Sequence, residues 1–325
     1  MQKLSLGTRG PIISGLGFGA MSFGGIFGPT DRQESLSCLD AMWEADITFV
    51  DTANIYGMGI SETVIGEWLA TRRPHGVVLA TKAAIVNGPP RRIDNSAAHL
   101  QTELEASLRR LQVERVDLFY LHRRDAGTDL AEVIDTLQRL EVQGKIGGYG
   151  LSEIAPETLR QAYAIHPPLA VQNEYSLWTR QPELGLLQEC ARLGVTFVAF
   201  SPLARGMLGD APLRLDQVQD GFRSQNPRFT EPNFSRNLTR IDAFRRWCAA
   251  RGWTVPATAL AWVRGTGDHV VPIPGTRAAG RLRQWVPMPE LTATDRAEID
   301  HILPPGFAAG DRYGDHQLLG IERYC

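Results

Sequence analysis

Short apolar, β-prone runs alternate along the chain with longer stretches whose apolar positions recur every three or four residues. The short runs fall at residues 15–20, 47–51, 77–81, 116–121, 146–151, 169–173, 196–201 and 270–273, and each leads into a helical pattern. In one helix Leu100, Leu104, Leu108 and Leu111 mark a single face, with Asp94, Asn95 or Ser96 available as its N-cap. Another runs over 130–142 and is ended by Gly144. Ahead of the first unit, residues 3–7 and 11–14 predict a small hairpin that closes the floor of a barrel. The longest interruption, 202–237, is rich in Gly, Pro, Arg and Asn and lies between the seventh strand and its helix, where a barrel carries functional loops.

Eight consecutive βα units fit either a (β/α)8 TIM barrel or a doubly wound sheet. The polar residues favour the barrel. Asp51, Lys82, His122, Ser152, Gln172 and Ser201 stand at or just beyond the carboxyl ends of successive strands, the face on which barrels place their chemistry. Gly15-Leu16-Gly17-Phe18-Gly19-Ala20 matches the dinucleotide fingerprint of doubly wound domains, yet Ser22, Gly24, Gly25, Gly28 and Pro29 follow where that motif needs a helix. With no linker or composition break, the expectation is an α/β chain with a single barrel domain over 1–325, an N-terminal hairpin and long active-rim loops.

Composition acts mainly by exclusion. With 43% apolar residues there is ample material for a large core, and a net charge of −2 without any Lys/Arg run leaves no footprint for nucleic acid. Cys38, Cys190, Cys248 and Cys325 are scattered without zinc or redox spacing, which fits a reduced, cytoplasmic compartment. No apolar run reaches the roughly 18 residues of a membrane span. His75, His99, His122, His166, His269, His301 and His316 form no close pair, so metal-dependent hydrolysis is not expected and no metal site is assigned.

The candidate chemistry is acid–base. Phe49-Val50-Asp51 ends a buried strand on a carboxylate, Tyr56 follows in the next loop, Lys82 ends the next strand and His122 the one after. Each alone is commonly structural; four on consecutive strand ends converge on one rim. Hydride arriving at a carbonyl carbon leaves charge on oxygen, so a proton donor must stand there, and a free phenol with a pKa of about 10 is a weak acid near neutrality. An ammonium at Lys82 would favour the phenolate of Tyr56 and lower its pKa, Asp51 would hold Lys82 charged, and His122 would orient the carbonyl oxygen or help relay the proton.

These residues belong to longer stretches: Asp51-Thr52-Ala53 with Tyr56-Gly57 and Glu62-x-x-Ile65-Gly66, Thr81-Lys82, Asp117-Leu118-Phe119-Tyr120-Leu121-His122-Arg123, Gly150-Leu151-Ser152-Glu153, Val171-Gln172-Asn173-Glu174, Ser201-Pro202-Leu203 and Ile273-Pro274-Gly275-Thr276-Arg277. On them the chain resembles the aldo-keto reductase superfamily from residue 16 to 313. Asn226-Pro227-Arg228-Phe229, Glu231-Pro232-Asn233-Phe234 and Asp311-Arg312-Tyr313 resemble the branch with pyridoxal and broad aldehyde reductases. The resemblance implies an NADP(H)-dependent enzyme that reduces an aldehyde or ketone, or runs the reverse, with Asp51, Tyr56, Lys82 and His122 as the catalytic tetrad and Tyr56 as general acid.

It further implies that Ser152 and Gln172 hold the nicotinamide carboxamide and that Phe200 stacks on the ring where a tyrosine is common. Ser201, Leu203, Arg205 and Gly206 would cover the pyrophosphate, and Gly275, Thr276, Arg277 and Arg281 would bind the 2′-phosphate end. The chain departs from the pattern at Ala204, at Ala83-Ala84 and at Gln284-Trp285, the last where Glu-Asn often reads adenine. Met21, Ile26, Phe27, Ile55, Trp178 and Tyr313 are expected on the pocket wall or in the core, and Arg123 either joins them or, like Arg124, serves as a surface salt-bridge partner. The partner that the resemblance implies is a small-molecule carbonyl or alcohol. Two other readings stand beside this one: an aldose 1-dehydrogenase working oxidatively, and a nucleotide-binding regulatory subunit like those of channels.

Overall fold

The computed structural model describes residues 2–86, 88 and 90–324. Strands β1 (Lys3–Ser5) and β2 (Ile12–Ser14) form an antiparallel hairpin. Eight parallel strands follow in one sheet: β3 (Gly17–Gly19), β4 (Phe49–Asp51), β5 (Val78–Ala83), β8 (Leu118–Leu121), β9 (Tyr149–Ser152), β10 (Ala170–Glu174), β11 (Thr196–Phe200) and β12 (Val270–Ile273). The short β6 (Ile85–Val86) and β7 (Arg92–Ile93) pair in the loop after β5. Helices cover the outside, so the architecture is the (β/α)8 barrel, and all eight barrel strands lie where the apolar runs predicted them.

The sheet closes between its first and last strands. Gly19 N donates to Pro274 O at 2.9 Å, and a Cβ on Gly17 would meet the Ile273 side chain at 2.8 Å. Those glycines, which imitate the dinucleotide fingerprint in the sequence, allow strand closure; a single 3-10 turn, Ala20–Gly24, follows instead of the fingerprint's helix. The hairpin seals the floor: Leu6 and Ile13 pack with the inward residues Phe49, Val78, Leu118, Val198 and Val271, and Gly7 N donates to Thr196 Oγ1 at 2.7 Å.

Strand alternation then fixes what faces the upper rim. Phe49, Val78 and Ala80, Leu118 and Tyr120, Ala170, and Val198 share the barrel interior. Two residues further along the same faces come Asp51, Lys82, His122, Gln172 and Phe200. The alternate positions Val50, Leu79, Phe119, Val171 and Phe197 pack outward in the larger cluster under the helices.

The helices agree with the sequence reading. Ala97–Leu111 is capped by Ser96, whose Oγ accepts from His99 N, and Leu130–Val142 is capped by Asp129. The 202–237 interruption is organised into short turns, and its following helix begins at Asn233, a little earlier than expected. Among the described residues no helix is long and apolar enough to cross a membrane, and no group of potential metal ligands gathers. Cys38, Cys190 and Cys248 are buried and unpaired; Cys325 lies outside the described residues.

Candidate active site

The structure brings Asp51, Tyr56, Lys82 and His122 to one rim. Asp51 and Lys82 come from adjacent strands, and their side chains are 2% and 0% exposed, deep enough that neither charge could stand alone. Lys82 Nζ ion-pairs with Asp51 Oδ1, donates to Thr52 O at 2.8 Å and lies 3.4 Å from Tyr56 Oη. Burial pulls the Lys82 pKa down, but Asp51 and Tyr56 more than offset it, so the ammonium is held charged. Gln172 Nε2 secures the other carboxylate oxygen, donating to Asp51 Oδ2 at 2.8 Å.

Tyr56 is placed by its loop. Thr52 N donates to Ala80 O and Asn54 N to Lys82 O, stitching the turn to β5. Ser61 Oγ bonds both Thr52 Oγ1 and Ala20 O. Gly57 sits at φ +60, and a Cβ there would lie 2.6 Å from Gly24 Cα, so two glycines let the β3 and β4 loops touch behind the tyrosine.

The net direction of the Tyr56 pKa differs from the expectation. Burial pushes the phenol up, Lys82 pulls it down, and burial wins. The phenol is thus protonated at neutral pH. His122 stands edge-on to Tyr56 with ring centroids 6.0 Å apart. Burial, then Arg123, Lys82 and Arg91, depress its pKa far below the usual histidine value, so it is neutral. Its Nδ1 is buried without a partner among the described residues. A neutral imidazole suits orientation of an oxygen, not proton relay through an imidazolium.

A cleft of about 490 Å3 opens beside Asp51 and Tyr56. It takes in Gln172, Phe200, Ser201, Leu203, Arg205, Gly206, Gly275, Thr276, Arg277 and Arg281, together with Met21 and Phe27. Ser201, Ala204, Arg205 and Gly206 all have positive φ, a winding that turns backbone N–H groups in varied directions along the wall. Gln284 and Trp285 also line it, at the end where adenine contacts were expected to differ. Ser152 is beside Gln172 in register but lies off this cleft, accepting from Arg123 Nη1 at 3.2 Å.

Several expected site residues are engaged in internal packing or ion pairs. The Arg205 guanidinium is not free for a pyrophosphate: it ion-pairs with Glu174 at 3.0 Å, binds Asn226 Oδ1 and Arg312 O, and covers the Tyr313 ring at 4.4 Å. Tyr313 is therefore held in this internal network. Trp178 is buried, packed edge-on to Phe229 under the Arg228 guanidinium, and Ile55 is half-buried; neither lines the cleft. Arg124 is a salt-bridge partner, to Glu322 at 2.8 Å, whereas Arg123 is buried and pairs with no carboxylate among the described residues.

One residue was missed. Arg223 lines the cleft, donates to Arg205 O at 2.9 Å and stacks over Phe27 at 5.0 Å. Burial, then Arg277, Arg205 and Arg281, lowers its pKa to about 10. Arg223, Arg277 and Arg281 have no carboxylate partner among the described residues, and Arg277 bonds Pro29 O across the cleft's edge. Three like charges gathered without counter-ions fit a multiply phosphorylated ligand. The only signal in sequence was the arginine-rich character of the 202–237 loop, which does not say which arginine turns inward.

The sequence profile of the aldo/keto reductase family matches residues 15–304. The chain belongs to the aldo/keto reductase family. It is 36% identical over 318 residues, 96% of its own length and 92% of the relative's, to probable aldo-keto reductase 1 of Glycine max. Among solved structures, a glycerol dehydrogenase from Gluconobacter oxydans superposes with a TM-score of 0.79 at 29% identity, covering 90% of this chain and 92% of that one. The holo form of an aldo-keto reductase from Bacillus halodurans gives 0.77 at 26% identity, covering 98% and 99%. This aldo/keto reductase is accordingly an oxidoreductase of carbonyl or alcohol groups that uses a nicotinamide cofactor.

Proposed function

We propose that this aldo/keto reductase is a cytoplasmic enzyme, a single barrel domain, that reduces an aldehyde or ketone with NADPH, with Tyr56 as the proton donor. The observation that carries the reading is the buried Asp51–Lys82 pair with its ammonium 3.4 Å from Tyr56 Oη at the mouth of the cleft. The residues of that cleft fit the cofactor: Phe200 offers a stacking face, Gln172 an amide oxygen once its Nε2 is engaged by Asp51, and Arg223, Arg277 and Arg281 the charge for phosphates. When bound, the nicotinamide supplies the hydride. Tyr56, protonated because burial outweighs Lys82, gives its proton to the substrate oxygen, and Lys82 stabilises the phenolate left behind. Neutral His122 holds that oxygen in line with Tyr56. Turnover followed by nicotinamide absorbance, with both cofactors and with aldehydes, pyridoxal, 2-keto compounds, aldoses and glycerol, tests the reading; oxidation of an aldose or glycerol without any carbonyl reduction would reverse its direction, and binding without turnover would favour a regulatory subunit.

Preference for NADPH follows from the arginine cluster. Loss of one charge-assisted phosphate contact costs about 1.5–3 kcal/mol, roughly ten- to a hundred-fold in affinity. Arg281→Ala is expected to weaken NADPH by that factor and NADH by far less, measured by fluorescence titration. Equal weakening of both would remove Arg281 from the 2′-phosphate site.

A further inference from the structure

Outside the cofactor cleft, one charge arrangement on the rim is uncompensated. Arg123 follows His122 directly and folds back, donating from Nη1 to His122 O at 2.6 Å and Ser152 Oγ at 3.2 Å. It is 6% exposed, and its Nε is buried with no partner among the described residues. The neighbouring glutamates of the described residues are engaged elsewhere: Glu174 with Arg205 and Arg312, Glu153 with Arg312, and Glu322 with Arg124.

A second guanidinium accompanies it. Arg91 stands just before β7 in the loop after β5, half-buried, with a buried Nε that has no partner and with no ion pair among the described residues. The backbone fixes this segment to Arg123: Asn95 donates from Nδ2 to Arg123 O at 3.0 Å and accepts from Asp125 N at 2.6 Å. Gly320 allows the approach, since a Cβ there would lie 2.8 Å from Arg123 Cβ and 3.1 Å from the Ile93 side chain. The two charges are close enough that Arg123 lowers the Arg91 pKa and both help to depress that of His122.

Guanidinium groups held wholly or partly out of water without counter-ions are costly unless an anion joins them, and their planar forks match carboxylate and phosphate oxygens. We propose that Arg123 and Arg91 form a subsite for an anionic group on the substrate, so that the preferred substrates are aldehydes or ketones carrying a carboxylate or a phosphate. This rests on the carbonyl-reductase reading above. Met21 and Phe27, which line the cofactor cleft, offer no comparable charge.

The test compares kcat/KM with NADPH for 4-carboxybenzaldehyde, 4-formylphenyl phosphate, the neutral methyl 4-formylbenzoate and the cationic 4-(trimethylammonio)benzaldehyde. At least one anionic aldehyde is expected to exceed the neutral ester by about tenfold or more, with the cationic one below both; the first two compounds tell carboxylate from phosphate. Arg123→Met and Arg91→Met should each lower the anionic-to-neutral ratio by about tenfold, and Arg91→Lys, which keeps the charge but not the planar fork, should retain only part of it. The ratio is insensitive to a general loss of turnover, and Arg91, half-exposed on a loop, is the variant least tied to folding. Calorimetry of the NADP+ complex with terephthalate and terephthalamide reads the subsite without turnover. Equal rates for anionic and neutral aldehydes, or equal affinity for the two non-reacting ligands, would overturn the subsite and leave the reductase reading standing. If no aldehyde is reduced, the reductase reading fails instead, and tighter terephthalate binding that is lost in Arg123→Met still establishes the anion site.

Discussion

Tyr56→Phe is expected to lower carbonyl reduction by about a hundredfold or more, the usual scale for a general acid, while NADPH affinity stays within a few-fold. The phenol oxygen is the group of the rim that both carries a proton at neutral pH and lies against the Lys82 ammonium. Phenylalanine keeps the ring, its edge contact to His122 and the turn set by Gly24 and Gly57, so only the proton donor is removed. Single-turnover rates separate chemistry from product release. Near-normal turnover in a folded, NADPH-binding variant would take Tyr56 out of the mechanism.

Lys82→Met removes the charge that opposes burial at Tyr56. The direction is fixed: the phenol, already above its ordinary pKa, moves higher still. In alcohol oxidation the phenolate is the base, so activity rises with pH as the phenol ionises, and that alkaline limb should move to higher pH in the variant. Turnover at neutral pH should fall by a factor comparable to that of Tyr56→Phe. The substitution also leaves Asp51 buried with only Gln172, and breaking such a pair costs about 3–5 kcal/mol, so the melting temperature should drop. Lys82→Met combined with Asp51→Asn restores much of the stability without restoring the limb. If the pair merely ties β4 to β5, the double variant recovers activity and the limb does not move.

Lysine 82 also has a stability signature of its own. Its folded pKa is raised above the unfolded value, so its contribution is fully present below the unfolded pKa and is lost as pH rises through the folded one. Thermal melts taken into the alkaline range should show that loss in the wild type and not in the double variant.

Much of this enzyme was legible in one dimension. Runs of apolar residues marked all eight barrel strands because a strand buried on both faces must be apolar throughout. Three of the candidate rim residues were legible for a related reason: Asp51, Lys82 and His122 each end or just follow such a run on the inward parity, and in a parallel barrel those ends meet. The caps of Ala97–Leu111 and Leu130–Val142 were local choices of side chain and backbone. Sequence therefore determined the elements, their order and the identity of the groups on the rim.

Only the tertiary structure decided how charge is distributed there. Arg205 stood in the predicted pyrophosphate loop, but Glu174 from β10 and the backbone of Arg312 from the C-terminal segment claim its guanidinium. Arg223 turned inward from an arginine-rich loop, Arg124 found Glu322, and Arg123 found no carboxylate among the described residues. The direction of the Tyr56 pKa depended on burial outweighing a neighbouring ammonium. Propensity and periodicity act over a few residues and can be read from the chain. Ion pairing and desolvation depend on groups far apart along the chain, such as Arg205 with Glu174 or Arg124 with Glu322, and a low-dielectric interior makes their partnerships decisive only once the barrel has closed.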